Sequence, residues 1–212
     1  MNNITSVIQK AKDFLINNPY DEGHDLYHHL AVWKNAQHIA RHIKESADIK
    51  SLHIACFWHD VVTTPIENRN FKDRDKMTIK TAEYLQKLML ELGCNKDLIE
   101  RTIIAVCEHD LNSRPTTIEG KILYDADKLE FLNVKRWIKI LDALKTGKMV
   151  KIKLFLYKKA GKRWISKLKR MYNFDYTRKL HDKKVNEILN NSTANKIAAD
   201  LGEDLRKILI GE

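Results

Sequence analysis

The pair His-Asp occurs four times in this chain, as His24-Asp25, His59-Asp60, His109-Asp110 and His181-Asp182. An imidazole beside a carboxylate offers one nitrogen and one oxygen donor, which suits proton transfer or a metal ion. A dipeptide alone is weak evidence, so its surroundings must choose among the copies. His59-Asp60 closes the most apolar stretch of the sequence, after Ile54, Ala55, Cys56, Phe57 and Trp58. Burying both groups there without partners would be costly. A metal ion would supply the partner, and neighbouring residues at a loosening helix end can both reach one ion. A lone histidine on such a helix reads more plainly as a hydrogen-bonded core residue; the adjoining aspartate weakens that reading.

Two further clusters carry donor groups. In Gly23-His24-Asp25-Leu26-Tyr27-His28-His29, His24 and His28 are spaced i, i+4, which can place both on one helix face. His29 lies nearer the centre of the apolar stripe, so periodicity alone favours it as the inward histidine. His38 and His42 share the i, i+4 spacing but sit beside Arg41 and Lys44 and read as surface residues. Further on, Asp127 stands between Leu123 and Phe131 on one helical stripe, where a carboxylate needs an ion or a partner. Asp125 has a plainer explanation, as a residue near a helix start that favours the dipole or caps the end.

The elements that must bring these groups together are helices. Seven glycines and three prolines are few for 212 residues, and Leu, Ile, Lys and Ala abound. Apolar spacing predicts helices over about Ile4–Asn17, Leu26–Ser46, Ser51–Val61, Arg74–Leu92, Lys96–His109, Ile118–Asn133 and Val134–Thr146. On the first, Ile4, Val7, Ile8, Ala11, Phe14 and Leu15 face inward; on the second, Leu30, Trp33, Ala40 and Ile43 do. Loops are expected at 63–73 and 111–117. Beyond Gly147 two or three basic helices follow, with breaks near Asn173 and Asn190-Asn191. No alternating strand pattern or internal repeat is present, so the fold class is all-α.

Charged residues make up 31% of the chain, and no apolar run nears the length of a membrane span. The first residues read as an amphipathic helix and not as a signal peptide, so a cytoplasmic protein is expected, with no membrane partner. Cys56, Cys94 and Cys107 lack CxxC spacing and read as buried, reduced thiols. The net charge of +10 is local: residues 148–184 hold 14 Lys or Arg against two Asp. Phe155, Tyr157, Trp164, Tyr172, Phe174 and Tyr176 are interleaved there. Such a segment could meet nucleic acid or nucleotides; the plainer reading is amphipathic helices with aromatics toward the core and lysines toward water.

Taken in order, these blocks resemble the HD superfamily of metal-dependent phosphohydrolases, whose pattern is an early His, a buried His-Asp pair and a distant Asp. The likeness is to single-domain bacterial members with GHDxxH and DADRL-like segments. It is carried by Gly23-His24-Asp25-Leu26-Tyr27-His28, by His59-Asp60, and by Glu119-Gly120-Lys121-Ile122 leading to Asp125-Ala126-Asp127-Lys128-Leu129. It covers about residues 20–135, within one HD-type domain expected to span 1–212 and to carry a basic helical part at about 148–212. The spacing of His28 to Val32 matches the ligand histidine of relatives, against the simple helical wheel. The resemblance thus implies an HD-type helical bundle with His28, His59, Asp60 and Asp127 as metal ligands.

That set is mixed N and O, which favours an open site for Mn²⁺, Fe²⁺, Co²⁺, Ni²⁺ or Mg²⁺ over a closed structural zinc site. The implied reaction is hydrolysis of a phosphate ester or anhydride, with a nucleotide as the small phosphorylated substrate. Nucleotidase, pyrophosphohydrolase and phosphodiesterase types all share such a metal site. Asp60, Lys128 and His109 are the expected catalytic residues. Arg69, Lys72 and Lys76, with Lys128 and the nearby Arg74, are the expected phosphate contacts. The chain departs from relatives after the His-Asp pair: Val61 to Ile66 holds no acid, and the first is Glu67. The general acid or base is left open by this. The competing reading is a nucleic-acid-binding protein whose metal site is structural or vestigial.

Overall fold

A computed structural model describes residues 3–18, 25–61, 74–110, 113–147 and 165–210, the side chains of 74 and 75 excepted. All regular structure among them is helical. The elements are α1 (Asn3–Asn17), α2 (Leu26–Ala40), α3 (Ile49–Trp58), α4 (Arg74–Glu91), α5 (Lys96–Glu108), α6 (Ile118–Glu130) and α7 (Val134–Lys145). A helical stretch over 165–171, α8, is followed by α9 (Asp175–Leu189), α10 (Ser192–Asp200) and α11 (Leu205–Leu209). The chain forms two compact units, Met1–Glu130 and Phe131–Glu212.

Most helix starts are written in the sequence as Asp or Asn caps. The side chains of Asp25, Asp48, Asn95, Asn133, Asn191 and Asp204 each accept a hydrogen bond from a backbone N–H of the first turn they precede. Helix ends were less legible. α2 stops at Ala40 rather than running on to Ser46. The Ile39 carbonyl accepts from the N–H groups of His42 and Ile43, and the His42 ring donates to the His38 carbonyl, which closes the helix. α6 likewise ends at Glu130, short of Asn133, which caps α7 instead.

In the first unit α3 lies at the centre, packed on α1, α2, α5 and α6. Leu52, Ile54, Ala55, Cys56, Phe57 and Trp58 are all buried on it, which explains a helix apolar all round. Trp58 donates its indole N–H to the Val7 carbonyl of α1 at 3.1 Å. α2 packs along α6, and Asn35 ties the two by donating to the Ala126 carbonyl at 3.1 Å. The buried face of α2 is His28, His29, Val32, Ala36 and Ile39. This corrects the expected face: Leu30 is 42% exposed and Trp33 only half-buried. Trp33 stacks instead on His53 of α3, ring centroids 4.0 Å apart.

In the second unit α7 packs on α9 and α10, with α11 against both of the latter. Trp137, Leu141, Tyr172, Val185 and Ile188 are buried there, and His181 is buried with them. The breaks near Asn173 and Asn190-Asn191 fall where expected, but the described part of this region holds more helical segments than the two or three anticipated. Of the interleaved aromatics, Tyr172 is buried and Phe174 and Tyr176 are half-buried; Phe155, Tyr157 and Trp164 lie outside the described residues. Cys56 is buried as expected, whereas Cys94 is half-buried and Cys107 is exposed; all three are free thiols.

Candidate metal centre

Three helices bring four donor groups to one point. His28 comes from the first turn of α2, His59 and Asp60 from the end of α3, and Asp127 from the last turn of α6. α3 ends at Trp58, so His59 is its C-cap and Asp60 follows where the backbone leaves the helix. That loosening lets adjacent side chains turn to the same side. Thr81 of α4 holds the chain just beyond, donating to the Val61 carbonyl at 2.7 Å.

The ligand atoms of His28, His59, Asp60 and Asp127 all lie within 4.8 Å of one another. His28 Nε2 is 3.2 Å from His59 Nε2 and 3.4 Å from Asp127 Oδ1. His59 Nε2 is 3.4 Å from Asp60 Oδ2 and 3.7 Å from Asp127 Oδ1, and His28 Nε2 is 3.8 Å from Asp60 Oδ2. Bond lengths of about 2.1 Å place neighbouring ligands of an octahedral ion roughly 3 Å apart and opposite ones about 4 Å apart. The observed separations suit such an ion.

The ring nitrogens settle what the cluster can hold. His28 Nδ1 lies 3.0 Å from Glu130 Oε2, and His59 Nδ1 lies 2.9 Å from the Cys56 carbonyl. Both oxygens only accept, so each ring carries its hydrogen on Nδ1 and turns a bare Nε2 lone pair toward the other. Two lone pairs facing each other among carboxylate oxygens repel unless a cation sits between them. The donor set therefore fits a divalent metal ion, and none of the four is more than about a tenth exposed.

Burial alone would raise the Asp127 carboxyl. The Lys128 ammonium beside it and the imidazoles of His59 and His28 outweigh that and hold it well below the usual carboxylate range. Lys128 is itself buried and donates to Asp127 Oδ2 at 2.7 Å and to the His109 carbonyl at 3.0 Å. Its ammonium also lies 4.9 Å over the Tyr124 ring. Asp127 thus keeps Oδ1 toward the cluster while Oδ2 is engaged by lysine.

His109 stands at the edge of the cluster. It is fully buried, its Nδ1 donates to the Val106 carbonyl, and its Nε2 lies 3.4 Å from Asp60 Oδ1. His29 is fully buried too, but it belongs to the packing. Its Nδ1 donates at 3.0 Å to the Cys56 carbonyl that also receives His59. Burial, then the neighbouring His59 and His28, push the His29 imidazole well below its ordinary range, so it stays neutral. Both histidines of the pair are inward, and the helical wheel could not tell their roles apart.

Lys76 is exposed near the start of α4. His24, Arg69, Lys72 and the side chain of Arg74 lie outside the described residues. His38 and His42 are exposed, as expected. Asp125 is a correction: it is fully buried in the middle of α6 and neither caps nor flanks the helix start.

Sequence reasoning passed over two features. Glu130 lies one turn after Asp127, a spacing that could have marked it as facing the same way. The other is a knot at the start of α6, where Glu108 of α5 accepts from the backbone and hydroxyl groups of both Thr116 and Thr117. A methyl group on Gly120 would overlap the Glu108 carboxylate. The knot joins the end of α5, next to His109, to the helix that carries Asp127.

A family model for the HD domain matches residues 25–132, just over half of the chain. A crystal structure of a predicted HD superfamily hydrolase from an uncultured Thermotogales bacterium matches with a TM-score of 0.53 and 20% identity, over 95% of this chain and 93% of that one. That likeness is one of fold. No curated protein matches significantly. No helix among the described residues is long and apolar enough to cross a membrane.

Proposed function

The chain belongs to the HD-domain family, and on that premise we propose that it is a metal-dependent phosphohydrolase acting on a phosphate ester or anhydride, with nucleotides as its first substrate class. The observation that carries this reading is the convergence of two Nε2 lone pairs and two carboxylates, from three helices, in one buried cluster. An ion held by His28, His59, Asp60 and Asp127 would supply Lewis acidity toward a phosphoryl oxygen and the attacking water.

The chain's own residues then divide the remaining work. Glu130 and the Cys56 carbonyl fix the tautomers of the two ligand histidines. Lys128 neutralises and orients Asp127; Asp127 and the His109 carbonyl engage two of its three N–H donors, and the third is the one it would turn to a phosphate. His109 presents Nε2 as an acceptor beside Asp60 Oδ1. That pair can share the proton released by water as it attacks phosphorus, and return it to the departing oxygen. Phosphate contacts are assigned to Lys76, which is exposed near the start of α4, to Lys128, and to Arg69 and Lys72, which lie outside the described residues.

A panel of nucleoside mono-, di- and triphosphates, cyclic nucleotides and simple phosphate esters, assayed with Mn²⁺, Co²⁺ or Mg²⁺, tests the proposal. It expects phosphate or pyrophosphate release that stops on chelation. Absence of turnover on every substrate, together with strongly salt-dependent binding of nucleic acid, would favour the competing role for the basic segment 148–184.

A further inference from the structure

We infer that Glu130 is the positioning residue that orients and polarises His28, giving the site one charge-anchored imidazole and one anchored only to backbone. The inference rests on the metal reading above and deepens it. His59 and His109 both send Nδ1 to a carbonyl one turn back on their own helix, Cys56 and Val106 respectively. Such anchors come with the helix and would serve any histidine there. His28 is different. Its Nδ1 partner is a carboxylate from another helix, 102 residues away in sequence, at 3.0 Å.

Burying a glutamate needs a compensating interaction. Glu130 is 4% exposed, and its Oε2 is directed to a ring that is 3% exposed. It also follows Asp127 by three residues on α6, so one rigid turn carries both a ligand of the cluster and the group that aims another ligand. Asn35 holds α2 to α6 within that same turn, at the Ala126 carbonyl. Any shift of α6 would therefore move Asp127 and the His28 ring together. A carboxylate on Nδ1 also raises the electron density at Nε2 more than a carbonyl does, which strengthens His28 as a donor to a cation.

The test uses the full chain, stripped of metal, with Glu130→Gln, Glu130→Ala and His28→Ala. Co²⁺ affinity is measured by chelator competition, and thermal unfolding is followed on the metal-free proteins. Glu130→Gln keeps shape and an acceptor oxygen but not the charge; we expect about a tenfold loss of Co²⁺ affinity, and toward a hundredfold for Glu130→Ala. His28→Ala should lose more than either. Metal-free Glu130→Gln should melt within about 3 °C of wild type, so that the loss is not one of fold. Should Glu130→Ala fail to fold, Glu130→Gln decides the question. Wild-type affinity in Glu130→Gln and in any folded Glu130→Ala overturns the inference while leaving the metal reading intact. So does an affinity loss matched by a comparable collapse of the metal-free protein. A wild type that takes up no Co²⁺ overturns the metal reading itself, and this inference with it.

Discussion

His28 and His59 meet through their Nε2 atoms at 3.2 Å, while each has already given its Nδ1 hydrogen to an oxygen. The contact cannot be an ordinary hydrogen bond between neutral rings, because no hydrogen is left to share. It is the geometry of two ligands waiting on one cation, with Asp60 and Asp127 at comparable distances.

The two neighbouring histidines of α2 should separate experimentally. His29→Ala removes a fully buried ring that holds the Cys56 carbonyl but offers nothing to the cluster centre. We expect a stability loss of about 1–3 kcal/mol in urea unfolding, with metal uptake near wild type once folded. A His29→Ala protein of unchanged stability that no longer binds metal would reverse the assignments of His28 and His29.

Gly120 should tolerate no side chain. A methyl there overlaps the Glu108 carboxylate, which already accepts from Thr116 and Thr117. Gly120→Ala must push Glu108 away and expose those donors, at a cost of about 1–3 kcal/mol. Far-UV circular dichroism during urea titration would record it. Because the knot ties α5 to α6, metal affinity should fall as well. An Ala variant with wild-type stability would show that the close approach is not required.

The second unit should weaken in acid through His181. Burial lowers its pKa from 6.5 to about 4, and Lys169 adds to this, with Asp182 opposing. The folded state then takes up the proton only below about 4, whereas the unfolded chain takes it up near 6.5. Stability from this group is complete above pH 6.5 and is lost progressively as pH falls toward 4, by up to about 3 kcal/mol. His181→Phe keeps a buried ring beside Tyr172, 5.6 Å between centroids in the native pair, and cannot be protonated. Its stability, followed by denaturant titration, should decline less between pH 6.5 and 4. An identical decline in both proteins would remove His181 as the cause.

Much of this could be read before any coordinates. The His59-Asp60 pair, Asp127, the apolar α3 and most helix starts follow from residue type and spacing, because Asp and Asn caps and a 3.6-residue stripe are local signals; His28 rather than His29 follows only from the family resemblance. What failed to show was set by tertiary partners. The face of α2 was misplaced since Leu30 and Trp33 look as apolar as Val32 and Ile39, and only packing on α3 and α6 selects between them. Asp125 looked like a helix-start residue because where α6 buries its middle cannot be seen from six letters. Glu130's spacing after Asp127 marks its face but not its partner, which is a ring nitrogen on another helix.

Metal content of five single variants, by plasma emission after loading with Mn²⁺ and desalting, tests the central claim most directly. His28→Ala, His59→Ala, Asp60→Ala and Asp127→Asn should each lose most of the ion, whereas His29→Ala should retain it. Asp127→Asn is the sharpest of these, since it keeps volume and hydrogen-bonding capacity and removes only the charge a hard cation needs. Full metal occupancy in Asp127→Asn, or loss of metal in His29→Ala but not in His28→Ala, would contradict the assignment of this site.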